Sequence, residues 1–154
     1  MQNIPILIRC GSCRTLNRVT YDRLSAHPIC GHCKARLEAP HAPINVTTAS
    51  FDQQVRDWPE FLLVVFWASW CGYCRMLEPF INELATKRAG RLKIIRVDVE
   101  AEPALHNRFT LRATPTFLLY RNGIQLDRLD GAPRQNSELA LWIDQVMERS
   151  SARI

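Results

Sequence analysis

The stretch Phe61-Leu62-Leu63-Val64-Val65-Phe66-Trp67-Ala68-Ser69-Trp70-Cys71-Gly72-Tyr73-Cys74 runs from an unbroken apolar segment straight into a Cys-x-x-Cys pair, and the residues beyond it read as helix. Seven consecutive large apolar residues suit the central strand of a sheet that is covered on both faces. A Cys-x-x-Cys at the junction of such a strand with a helix brings two sulfurs within disulfide reach. It also sets the first at a helix N-terminus, where unpaired N–H groups and the positive end of the dipole favour a thiolate. That thiolate can attack a disulfide, and the second thiol can resolve the mixed disulfide. By position, Cys71 is expected to be the exposed nucleophile and Cys74, one turn deeper, the resolving thiol. Half of a zinc site or a structural disulfide would explain a bare pair equally well, but the strand before and the helix after favour redox chemistry.

Working outward, Ile44–Thr47 reads as a short strand and Ser50 as the N-cap of a helix to about Asp57. The helix from Cys71 extends to about Ala89, with a kink expected at Pro79. Leu92–Val99 reads as a strand, and Pro103 opens a short helix to Phe109. Thr116–Tyr120 and Ile124–Leu129, joined by Arg121-Asn122-Gly123, read as a hairpin. From about Asn136, Leu139, Trp142, Ile143, Val146 and Met147 recur at helical spacing. The order is a β-α-β half followed by a β-β-α half.

In front of this lie two further pairs, Cys10-Gly11-Ser12-Cys13 and Cys30-Gly31-His32-Cys33, with sixteen residues between Cys13 and Cys30. That spacing fits a four-cysteine zinc ribbon built from two tight knuckles, with short strands in the intervening segment. The glycines suit knuckle turns in which N–H groups approach sulfur. Four thiolates around one ion can fold some forty residues that lack a core of their own. Iron in the same ligand set is the metal alternative. His27, His32 and His41 read as bystanders. Ala39-Pro40-His41-Ala42-Pro43 is the joint, held extended by its two prolines. The expected organisation is a ribbon at 1–38, a linker at 39–43, an α/β domain at 44–149 and a tail at 150–154.

The chain has 154 residues, 47% of them hydrophobic, which suffices for one ordinary domain plus a small module. No segment reads as a signal peptide or approaches the ~18 apolar residues of a membrane span, so a soluble, cytoplasmic protein is expected. In that compartment six cysteines suggest metal and catalysis rather than structural disulfides. The formal charge of +5 is concentrated in front: residues 1–40 hold six Lys/Arg against Asp22 and Glu38. A solvated basic face explains this better than nucleic-acid binding. The chain reads as a monomer.

Phe66 to Pro79 resembles the active-site strand and helix of thioredoxins. Thr114-Pro115-Thr116 resembles the cis-proline loop of that family, and Asn122-Gly123 and Gly131 fall where its last strands turn and end. With the ribbon in front, nearly the whole chain is similar to the zinc-containing branch of bacterial thioredoxins. The resemblance implies a thioredoxin fold, a mixed sheet flanked by helices. It also implies a protein-disulfide reductase recharged by an NADPH-dependent thioredoxin reductase, with no organic cofactor bound. The cofactors would be one structural zinc on Cys10, Cys13, Cys30 and Cys33, and the redox-active Cys71–Cys74 disulfide. Trp70, Gly72, Tyr73, Thr114 and a cis Pro115 would support the site and its disulfide-containing protein substrates. Gly131 is read either as keeping the rim of the groove low or as an ordinary strand-end glycine.

Three departures stand out. Val65 occupies the place where thioredoxins usually bury an aspartate that helps move the resolving thiol's proton. Tyr73 replaces a proline, and Thr114 replaces isoleucine or valine. Arg96 is then expected to lack its proper partner. Cys-Gly-Tyr-Cys with a Thr-Pro loop resembles periplasmic disulfide isomerases, so an isomerase-like or more oxidising oxidoreductase is the alternative within this chemistry. A ribbon acting as a binding module or zinc-gated chaperone is the alternative outside it.

Overall fold

The structure, a computed structural model, describes residues 5–151, without the side chains of Tyr21 and Ser25. The elements are β1 (Pro5–Arg9), β2 (Leu16–Thr20), a 3-10 turn (Tyr21–Ala26), β3 (Ile44–Asn45), α1 (Thr48–Arg56), β4 (Phe61–Trp67) and α2 (Gly72–Lys87). They continue with β5 (Leu92–Asp98), α3 (Pro103–Arg108), β6 (Thr116–Arg121), β7 (Ile124–Asp130) and α4 (Asn136–Ser151). The last helix therefore runs into the expected tail, and residues 152–154 of that tail lie outside the described residues, as do residues 1–4.

The sheet order is β3-β5-β4-β6-β7. β4 pairs in parallel with β5 and antiparallel with β6, so the sheet is mixed. Every residue from Phe61 to Phe66 is buried, because alternate side chains of β4 enter two different cores. Phe61, Leu63 and Val65 pack beneath α2 and α4 with Leu77, Ile81, Leu139 and Ile143. Leu62, Val64 and Phe66 pack on the other face with Phe51 and Val55 of α1 and Leu105 of α3. The Asn122-Gly123 turn has φ of 51° and 76°, the paired left-handed conformation of a two-residue hairpin.

α1 begins earlier than its sequence suggests. Thr47 is the N-cap, and Ser50, three residues on, closes a reciprocal capping box: the N–H of Ser50 and the N–H of Thr47 each meet the other residue's hydroxyl. Two hydroxyl residues at that spacing make either one a credible cap, and the reciprocal bond selects the first.

The ribbon also differs from expectation. β1, ahead of the first knuckle, pairs antiparallel with β2, while the rest of the inter-knuckle segment forms the 3-10 turn. Nor is the module without a core. Ile6, Ile8, Val19 and Leu37 are buried and continuous with the α1 side of the main core. Arg9 donates to Asp57 Oδ2 at 2.6 Å and to the Arg14 carbonyl at 2.8 Å, tying the first knuckle to the C-cap of α1.

Beside this joint, Lys93 is 8% exposed, donates to Gln54 Oε1 at 2.5 Å and lies 5.8 Å over the Trp58 ring. Burial pushes the Lys93 ammonium down to about 8, against the pull of Asp57. The native state therefore binds fewer protons here than the unfolded state between about pH 8 and 10.5, and stability gained from this group rises with pH across that window. Lys93→Met should stabilise the protein by about 1–3 kcal/mol near neutrality. That advantage should shrink as pH rises through the window. Urea unfolding of both proteins at roughly pH 7 and pH 10 checks this, and a difference that does not change with pH would contradict it.

Candidate functional site: a dithiol and a four-cysteine cluster

Cys71 is the N-cap of α2, with extended backbone (φ −84°, ψ 107°), and its Sγ accepts the N–H of Cys74 at 3.2 Å. The buried β4 fixes where the chain leaves the sheet, and the Cys71 N–H bond to the Ala68 carbonyl at 3.1 Å turns it into the helix. Cys71 and Cys74 form a disulfide with Cα atoms 5.3 Å apart. In this oxidised form neither sulfur stands out. Cys71 is 5% and Cys74 8% exposed, so the expectation that Cys71 is exposed at the helix end is corrected. The loop before β6 closes over its side. The Thr114–Pro115 peptide is cis, and the Thr114 carbonyl oxygen lies 3.4 Å from Cys71 Sγ. Thr114 Oγ1 is buried with no hydrogen-bond partner among the described residues.

Around the disulfide the surface is apolar. Trp70, Tyr73 and Met76 are 68%, 59% and 73% exposed. Met76 was not singled out in the sequence, although its place three residues after Tyr73 on a helix puts the two side by side. Gly72 opens α2, and a Cβ there would meet nothing within 4 Å, so space does not demand glycine. At Gly131, φ is 89° and the N–H bonds the Pro115 carbonyl at 2.9 Å, where β7 ends beside the loop.

Tyr73 occupies the first turn of α2, but the N–H bonded to Cys71 Sγ belongs to Cys74. Arg96 has a partner after all. Its Nη1 lies 3.3 Å from Glu78 Oε1, and its guanidinium lies 4.7 Å over the Trp67 ring. Glu78 follows Cys74 by one helical turn, and Arg96 stands beside Val65 in the β4–β5 register.

The Sγ atoms of Cys10, Cys13, Cys30 and Cys33 all lie within 4.8 Å of one another. Cys10 to Cys33 and Cys13 to Cys30 are each 3.6 Å. A tetrahedral zinc–thiolate site places its sulfurs about 3.8 Å apart, given Zn–S bonds of about 2.3 Å, so the cluster fits that ion. The two knuckles repeat one backbone pattern. Cys10 and Cys30 N–H groups bond the carbonyls of Thr15 and Ala35, and each Cys carbonyl accepts from residue 14 or 34. The left-handed residues are Arg14 and Lys34, both at φ 67°, rather than Gly11 and Gly31. The N–H of Ser12 meets Cys10 Sγ and that of His32 meets Cys30 Sγ, each at 3.4 Å, whereas the Gly31 N–H goes to Asn17 Oδ1. The Cys33 N–H, the Asn17 amide and the His32 N–H hold the Cys30 thiol down to about 5, against burial. The Cys13 and Ser12 N–H groups lower Cys10 likewise. Among the described residues no histidine joins the cluster. His27 contacts Arg36, and His41 Nδ1 lies 3.2 Å from the Ala39 carbonyl oxygen.

The profile of the family described as Thioredoxin matches residues 42–145, and that described as Thioredoxin 2, N-terminal, matches residues 9–35. Thioredoxin C-3 of Corynebacterium nephridii is 33% identical over 144 residues, covering 94% of this chain and 97% of its own length. A thioredoxin of Rickettsia felis is 37% identical over 65% of this chain and 94% of its own. Among solved structures, a single-site mutant of a thioredoxin from Halobacterium salinarum superposes with a TM-score of 0.62 at 28% identity, covering 71% of this chain and 94% of that one.

A dithiol at a helix N-terminus beside a cis-proline loop, on this sheet order, defines a thiol-disulfide oxidoreductase. The chain belongs to the thioredoxin family and carries that family's zinc-ribbon front, and it is a disulfide reductase of the thioredoxin type. Among the described residues no helix is long and apolar enough to cross a membrane.

Purified protein should contain one zinc per chain with four sulfur ligands by X-ray absorption, and Cys13→Ser should lose it. Nitrogen ligands, or iron in protein isolated without reconstitution, would refute the assignment.

Proposed function

We propose that Cys71 is the attacking thiol and Cys74 the resolving one. The carrying observation is that Cys71 Sγ already receives a helix N-terminal N–H, from Cys74 at 3.2 Å, so a negative charge on Cys71 is met by a donor that needs no rearrangement. The reduced Cys71 thiolate attacks one sulfur of a substrate disulfide, expelling the other as a thiolate that takes up a proton. Cys74, deprotonated, then attacks Cys71 Sγ and releases the second substrate thiolate. The protein dithiol loses two electrons to the substrate disulfide. Trp70, Tyr73 and Met76 provide an apolar landing surface for a substrate segment, and Thr114 and Pro115 border it. Gly72, between the cysteines, is the first residue of α2.

On this reading the electron donor is an NADPH-dependent thioredoxin reductase acting in the cytoplasm, the substrates are disulfide-containing proteins, and the chain works as a monomer. Cys10, Cys13, Cys30 and Cys33 hold a structural zinc in a ribbon spanning 1–38, joined through 39–43 to the redox domain at 44–149. Cys71→Ser should abolish reduction of insulin disulfides, whereas Cys74→Ser should accumulate mixed disulfides through residue 71. Trapping by the Cys71 variant instead would reverse the assignment.

One observation favours a potential more oxidising than that of an ordinary thioredoxin. The buried Thr114 hydroxyl is unpartnered while the disulfide is intact; Thr114 meets Cys71 Sγ through its carbonyl oxygen at 3.4 Å, and on this reading reduction lets the hydroxyl rotate toward the thiolate. A hydroxyl satisfied only after reduction stabilises the reduced form, and about 1.4 kcal/mol raises a two-electron potential by roughly 30 mV. Thr114→Val should therefore be more reducing by about that amount on equilibration with glutathione. An unchanged or more oxidising variant would remove the support for this tuning.

A further inference from the structure

Resolution requires Cys74 to lose a proton, yet Cys74 is 8% exposed and the strand beneath it, β4, is apolar from end to end. We propose that Glu78, held in place by Arg96, is the base that takes this proton. The inference rests on the reading of Cys74 as the resolving thiol.

Glu78 follows Cys74 by four residues on α2, so the two share one face of the helix in consecutive turns. Helical side chains tilt toward the N-terminus, which leans Glu78 back over the turn that carries Cys74. Its carboxylate is anchored by Arg96 at 3.3 Å. Arg96 is itself fixed by the Trp67 ring at 4.7 Å, and its side chain is only 18% exposed. The Glu78 side chain is itself 47% exposed, and a long arginine stacked on a half-buried indole and paired at its tip restrains the carboxylate that it meets.

The other charged groups near this face do not compete. Val65, Phe117 and Trp67 bring no titratable group from β4 and β6. From β5, Asp98 Oδ1 accepts the N–H groups of Glu100 and Ala101, and Lys93 turns to Gln54. On α2, Arg75 is a cation, and Glu83 pairs with Lys87. From α4, Asp144 pairs with Arg88.

In this step the Cys74 S–H bond breaks and its proton goes to the Glu78 carboxylate. The thiolate pair forms the Cys74–Cys71 bond, and the Cys71–substrate S–S bond breaks with its electrons on the departing sulfur. Glu78 then gives its proton to that thiolate or to water, which returns it to the carboxylate. Arg96 is a positioning residue, since it acts only through Glu78.

The test uses reduced, zinc-loaded full-length protein and an aromatic disulfide that releases one coloured thiolate when Cys71 attacks and a second when Cys74 resolves. Stopped-flow separates the two releases. Glu78→Gln should slow the second release by about tenfold or more near neutral pH while leaving the first within about twofold. The second release should then climb with pH until Cys74 ionises unaided. Glu78→Asp should keep part of the second-release rate that Glu78→Gln loses, and Arg96→Met should slow the second release while Arg96→Lys slows it less. The Arg96 variants, which leave Glu78 in place, keep the proposal testable if Glu78→Gln does not fold.

A second release unchanged in Glu78→Gln, an equal slowing of both releases, or a second release unchanged in Arg96→Met would each overturn the proposal. Cys74→Ser run alongside separates the two readings. If it gives the first release and not the second, while Glu78→Gln matches the parent, only the role of Glu78 fails. If it gives both releases, the assignment of Cys74 fails.

Discussion

The burial of β4 on both faces is the constraint on which the rest depends. A strand with large apolar side chains on both faces is stable only between two helical layers, and here α2 and α4 supply one, α1 and α3 the other. That arrangement carries the chain out of the sheet at Trp67 and into the first turn of α2, so Cys71 lands on the helix N-terminus and not merely near it. The same sandwich holds β6 antiparallel beside β4, which brings Thr114 against Cys71 from a point more than forty residues along the chain. Position, helix-end electrostatics and the bordering loop all follow from one well-packed strand.

The ribbon is more than an appendage on a stiff linker. Ile6 and Ile8 extend the main core, and Arg9 joins the backbone beside the first knuckle to Asp57 at the end of α1. A metal that organises the knuckles therefore also sets the backbone from which Arg9 and the two isoleucines reach across. The buried Lys93 lies near this joint, where its charge is held at a cost beside Asp57.

Much of this was legible in the residues, because the decisive signals are local. Seven apolar residues running into a Cys-x-x-Cys, two further pairs at knuckle spacing, and Asn122-Gly123 between strand-like runs each carry their meaning within a few positions. What escaped reading depended on partners distant in sequence. Ile6 and Ile8 lie in a short apolar run, Ile4 to Ile8, but what they pack against, on the α1 side of the main core, is distant in sequence. The pair of Glu78 with Arg96 joins a helix to a strand eighteen residues away, and register alone decides that they meet. The donor to Cys71 Sγ, the Cys74 N–H, is set by the N-cap conformation of Cys71, which composition does not reveal. Choosing Thr47 over Ser50 turned on a reciprocal bond that composition does not distinguish.

On the proposed reading, helix-end donors make Cys71 the reactive thiolate and the front cysteines hold a metal. These two roles are separated by the pH dependence of alkylation of the reduced, metal-loaded protein, with modified residues located by mass spectrometry. Cys71 should be modified first, with a midpoint below the ~8.5 of a free thiol, while Cys10, Cys13, Cys30 and Cys33 stay unmodified. Modification of the front cysteines ahead of Cys71, or a Cys71 midpoint at or above the free-thiol value, would contradict this division of labour.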